Sequence, residues 1–91
     1  MPLTRGQPLG YDSERMVFKF TMLNYDEAVE CQISGAAMDE VAGSKGTMPA
    51  DREAQFLRFR ERIEHAANTL FDEKRVLKGA VLRIFSKHIG K

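Results

Sequence analysis

The sequence predicts a small α+β domain. An antiparallel sheet, made of a hairpin plus a last strand, packs on one long and one short helix in the order ββααβ. Three observations predict it. Two consecutive segments alternate apolar and polar residues with period 2, a middle segment carries apolar residues at helical spacing, and a short β-branched run follows Gly79. At 91 residues the chain makes a single domain over residues 1–91, since it is too short to fill a second core.

Met1 to Gly10 holds Pro2, Gly6, Pro8 and Gly10, which remove amide donors or favour open backbone. This stretch is expected to be a loosely ordered arm unless it pairs as an extra strand at a sheet edge. Tyr11 to Arg15 reads as a turn, because Asp12 and Ser13 can bond local backbone. Met16 to Asn24 is the first strand, with Met16, Phe18, Phe20 and Met22 inward and Val17, Lys19, Thr21 and Leu23 outward. After a turn at Asn24 to Asp26, Glu27 to Ile33 alternates again, with Val29, Cys31 and Ile33 inward, and completes the hairpin.

Ser34 can cap a short helix containing Ala37, Met38 and Val41, which Gly43 ends. Gly43 to Pro49 is a flexible connector. Pro49, Asp51 and Glu53 then give the rigid start and acidic first turn of a long helix running to about Lys74. At about 100° per residue, Phe56, Phe59, Ile63, Ala66, Ala67, Leu70 and Phe71 form one stripe facing the hairpin, with Arg58, Glu61, Arg62, His65, Thr69 and Asp72 opposite. Ala80 to Phe85 suits a closing strand, and residues 86–91 are expected to fray.

Tyr11-Asp12, Arg15, Val17 and Phe18, then Val29-x-Cys31-x-Ile33-Ser34, then Phe56-x-x-x-Arg60-x-x-Ile63-Glu64-x-x-Ala67 together resemble a small bacterial family, the domain of unknown function 1488 (DUF1488). The resemblance runs from about Tyr11 to Val81. It implies a compact α+β domain with an antiparallel sheet and a long packed helix, and no established activity or cofactor. It also implies an aspartate shortly before the glycine that opens the last strand. This chain has Arg75-Val76-Leu77-Lys78-Gly79 there, so its basic end departs from the family pattern.

The residues themselves offer little catalytic chemistry. Cys31 alternates with inward residues, where a free thiol behaves as a small hydrophobe, and neither His65 nor His88 is placed to activate it. One cysteine and two separated histidines fail the usual zinc patterns, so no metal or other cofactor is expected. Gly43-Ser44-Lys45-Gly46-Thr47 superficially resembles a phosphate loop but lacks the Walker spacing. Amides at Ser34 to Ala37 are more simply satisfied by capping than by an anion. The acidic pairs Asp39-Glu40, Glu61/Glu64 and Asp72-Glu73 are expected on solvated faces. Arg60 lies about 40° from Phe56 at the border of the stripe, with Glu64 one turn on. The bland reading is an arginine whose stem covers the core while Glu64 holds its head, and the sharper reading is a contact to a ligand carboxylate or phosphate.

The formal net charge of +1 hides an asymmetry. Residues 1–73 carry 8 basic and 13 acidic side chains, whereas Lys74, Arg75, Lys78, Arg83, Lys87 and Lys91 stand beyond them with no acid. That end either caps the helix dipole and solubilises a tail or touches phosphates. No apolar run approaches the roughly 18 residues of a membrane span, no secretory leader is evident, and a single cysteine gives no oxidising-compartment signature. A cytoplasmic setting without membrane contact is expected. The functional expectation is a small non-catalytic binding or regulatory module, with Arg60, Glu64, Lys74, Arg75, Lys78, Arg83 and Lys87 as candidate contacts. The alternatives are weak, non-sequence-specific nucleic-acid binding through the basic end, and self-association as a structural protein.

Overall fold

The computed structural model describes residues 3–74 and 79–89. β1 (Thr4–Asp12), β2 (Val17–Asn24) and β3 (Glu27–Ser34) form an antiparallel meander, and β4 (Leu82–Ile84) joins β3 on its free side. Between β3 and β4 lie α1 (Gly35–Ala42), a 3-10 turn at Pro49–Asp51, α2 (Arg52–Arg58) and α3 (Arg60–Lys74). A second 3-10 turn, Ser86–His88, follows β4.

The α+β class and the hairpin hold, with β2 and β3 in register from Val17 opposite Ser34 to Asn24 opposite Glu27. Phe18, Phe20, Met22, Cys31 and Ile33 are buried on one face. Phe56 lies between the two sheet phenylalanines, with ring centroids 4.6 Å from Phe18 and 4.8 Å from Phe20. Such aromatic pairs add about 1 kcal/mol each beyond the area they bury. Ile63, Ala66, Ala67 and Leu70 continue the helical side of the core. Ser34 caps α1, its hydroxyl accepting from the Ala37 amide at 3.1 Å. Among the described residues no helix is long and apolar enough to cross a membrane.

Several expectations are corrected. Residues 4–10 are not loose, because they pair with β2 as an edge strand whose register shifts between Arg5, Pro8 and Gly10. Met16 does not face the core. It sits at φ 58° in the turn between β1 and β2 and is 61% exposed, its carbonyl accepting from the Gly35 amide. β4 runs parallel to β3, because the helices between them form the crossover that a parallel pair requires. The long helix is interrupted at Phe59, whose φ of −110° and ψ of 21° leave the helical region for one residue. The turn after β4 is docked rather than frayed. Ile89 is buried in the core, and the Phe85 amide donates to Nδ1 of His88 at 2.9 Å.

Candidate functional site

The interruption at Phe59 sets the direction of the side chains around it. Arg60 opens α3, and its Nε donates to Oε2 of Glu64 at 2.9 Å, the i,i+4 meeting that the spacing predicts. The same carboxylate takes a second arginine from the sheet. Arg5 of β1 gives Nε to both Glu64 oxygens, at 3.1 and 3.0 Å, and Nη2 to Oε1 at 2.9 Å. Glu64 is therefore 9% exposed and not on a solvated face, a correction that follows from β1 being ordered and supplying the second cation.

Arg60 reaches further. Its Nη2 donates to the Gly6 carbonyl at 2.9 Å, and its guanidinium lies 5.5 Å from the Phe56 ring centroid. A Cβ on Gly6 would collide with the Thr21 carbonyl and hydroxyl, so only glycine lets β1 come this close. Asn68 adds a third fastening by accepting from the Leu3 amide. Arg60 and Glu64 thus follow the bland reading, as the clamp that holds β1 on α3. The hydrogen bond and charge of Glu64 raise the pKa of Arg5.

Over this clamp opens a shallow cleft of roughly 480 Å³, lined by Arg5, Leu57, Arg58, Phe59, Arg60, Glu61 and Arg62. Two of its arginines are not consumed by the clamp. The Arg58 guanidinium lies 5.4 Å from the Phe59 ring centroid and has no hydrogen-bond partner among the described residues. Arg62 gives Nη1 to the Val41 carbonyl at 3.1 Å, which leaves its other donors open. A planar guanidinium on an aromatic face beside a second fork suits carboxylate or phosphate oxygens.

Arg83 is exposed in the middle of β4, and Lys87 is exposed in the final 3-10 turn. Neither meets Arg60 or Glu64 at the cleft. Arg75 and Lys78 fall outside the described residues, as do the side chain of Lys74 at the end of α3 and the last two residues of the expected tail.

A second polar cluster lay beyond the sequence reading. Arg52 is 5% exposed, and its Nη1 donates to Asp39 Oδ1 at 2.8 Å, to Gln55 Oε1 at 2.7 Å and to the Gly35 carbonyl at 3.4 Å. Gln55 and the Thr47 hydroxyl also donate to that Asp39 oxygen, at 3.0 and 2.7 Å. Burial pushes the Asp39 carboxyl up, but bonds from Thr47, Gln55 and Arg52 together with the Arg52 charge outweigh it and hold it below the ordinary value. Thr47 thereby fixes the connector after α1 that was expected to be flexible. The guanidinium lies 5.2 Å from the Tyr11 ring centroid, and a Cβ on Gly35 would come within 2.9 Å of Nη2. One signal was available: Arg52 stands four residues before Phe56, in line with the apolar stripe.

Cys31 is fully buried, and burial pushes its thiol up to about 12, so little nucleophilic thiolate forms near neutrality. Among the described residues no group of three His, Cys, Asp or Glu side chains is placed to hold a metal ion.

A family model described as "Protein of unknown function (DUF1488)" matches residues 6–82. The fold is similar to the crystal structure of a protein of unknown function from the DUF1488 family of Shewanella loihica PV-4. That structure is 19% identical, at a TM-score of 0.72, over 91% of this chain and 89% of that one. At that identity the likeness is one of fold. No curated protein matches the chain.

Proposed function

We propose that this chain, which belongs to the DUF1488 family, is a small non-catalytic binding module that takes an anionic group in the arginine-lined cleft where α2 meets α3. The observation that carries the reading is the division of labour among the cleft arginines. Arg5 and Arg60 share the Glu64 carboxylate and form a fixed floor, while Arg58 and Arg62 keep open donors at the rim. A floor tied to both β1 and α3 holds the rim in place before a ligand arrives, which lowers the ordering cost of binding. The non-catalytic part is supported by a buried, protonated thiol and by carboxylates already engaged by arginines. A reducing cytoplasm suits the single free cysteine.

Calorimetric titration with inorganic tripolyphosphate at low salt tests the reading. The wild type is expected to bind saturably with one site. The Arg58→Ala and Arg62→Ala single variants should each weaken binding by about tenfold or more, the scale of a lost charge-assisted hydrogen bond. Wild-type affinity retained in both variants, or no binding by the wild type, would remove the cleft as the binding site.

A further inference from the structure

The arginine cleft does not end at Arg62. Glu61 and Arg62 are shared with a second hollow of roughly 470 Å³, which continues along α3 past His65 and Thr69 to His88 and Ile89. His88 in turn borders a third hollow of roughly 230 Å³, whose walls include Arg83, Phe85 and Lys87. Three depressions linked by shared walls make one track, from the helix break to the outer end of β4. The docking of Ile89 in the core closes that track by holding the last turn against the helices.

Its chemistry is uneven in an informative way. Arg58 and Arg62 stand at one end and Arg83 and Lys87 at the other. Glu61 is the exposed acid among the lining residues, Glu64 being held by Arg5 and Arg60, and exposed Asp72 follows Thr69 on the same face of α3. Arg83 and Lys87 form no hydrogen bond or ion pair among the described residues. Between them Phe85 leaves 46% of its surface exposed, its ring centroid 6.0 Å from that of His88. Cations spaced along a groove, with an exposed aromatic ring beside them, match a strand of phosphates whose bases are free to stack. A duplex would meet the cations but leave the ring unused. An acidic peptide would meet the cations and give the ring no base. In sequence, Lys74 at the end of α3 and Arg75 and Lys78 after it add further positive charge.

We infer that this track is a binding groove for single-stranded nucleic acid, without sequence preference, in which Arg58, Arg62, Arg83 and Lys87 contact phosphates and Phe85 stacks on a base. The inference rests on the anionic reading of the cleft and extends it to the far end of the molecule.

Fluorescence anisotropy of a labelled oligothymidine of roughly 12 nucleotides, within the span a small domain covers, provides the test. With four phosphate contacts, log affinity should fall with log salt at a slope of about −3, and the Arg83→Ala/Lys87→Ala variant should reduce that slope by about 1.4. Phe85→Leu keeps an apolar residue at the site and should weaken binding about tenfold with little change of slope. Circular dichroism verifies that each variant is folded. Three results would overturn the groove while leaving the arginine cleft standing, provided tripolyphosphate still binds: no oligonucleotide binding at low salt, binding indifferent to Arg83, Lys87 and Phe85, or equal binding of a duplex. A poly-glutamate peptide of matched charge that competes as well as the oligonucleotide would overturn it in favour of an acidic protein partner. If tripolyphosphate also fails to bind, the cleft falls with the groove.

Discussion

Three donors converge on one oxygen of Asp39: the Arg52 guanidinium, the Gln55 amide and the Thr47 hydroxyl. With the Asp39 pKa lowered in the fold, the linkage has a definite sign. Its contribution is fully present above the ordinary aspartate pKa, about 3.9, and is lost as the pH falls through the lowered value. Urea unfolding followed from pH 6 down to pH 2 should therefore show wild-type stability dropping below about pH 4, and Asp39→Asn should shrink that drop. Asp12 retains part of it, because amides of Arg15 and Glu14 and the charge of Lys19 also lower its carboxyl. Arg52→Met should cost about 3 kcal/mol in the same assay at neutral pH, since it leaves a carboxylate in a half-dry site without its cation. An unchanged denaturation midpoint would show that the guanidinium is not needed there. At this scale the sequence made some pairs readable and hid others. Arg60 and Glu64 are one helical turn apart, so the helix alone brings them together. Arg5 and Glu64 are 59 residues apart, and Arg52 and Asp39 are 13 apart, so they meet only through the packing of separate elements.

Among the elements, β1 and α3 depend on each other. Leu3, Arg5 and Gly6 are each tied to α3, through Asn68, Glu64 and Arg60, whereas β4 is only three residues long and held by β3 and its own turn. Glu64→Ala should release Arg5 and Arg60 together, and hydrogen exchange should accelerate first at the amides of Leu3 to Gln7. Uniform acceleration across all four strands would contradict this, because it would mean that the carboxylate supports the whole fold rather than one edge. The hairpin, the Ser34 cap and the apolar stripe were legible because each is a local repeat or a local hydrogen bond. The sheet edge was legible only as an alternative, since Pro8 and the glycines argue against a strand until Phe18, Phe20 and Met22 offer a partner. The interruption at Phe59 was also hidden. The apolar spacing from Phe56 to Ile63 passes through it without a shift, and neither proline nor glycine marks it.

For the molecule as a whole, a net charge of +1 conceals a surface on which cations and acids are sorted. Acids that looked solvated, Asp39 and Glu64, are folded inward against arginines. Arg58 and Arg62 at one cleft, Arg83 in β4 and Lys87 in the turn after it stay exposed, without a carboxylate bound to them among the described residues. The basic end stood out in the sequence as a run of like charge. The arginine cleft did not: Leu57 to Arg62 are contiguous, but the break at Phe59 and the approach of Arg5 from β1 that shape the cleft carry no local signal. Backbone amide shifts recorded while inorganic tripolyphosphate is titrated into labelled protein test the central claim most directly. The account predicts that the largest movements fall on Leu57 to Arg62 and saturate together, and that the Tyr25 turn at the far end of the hairpin stays still. Saturating shifts centred elsewhere, or shifts that grow in proportion to salt over the whole surface, would contradict it.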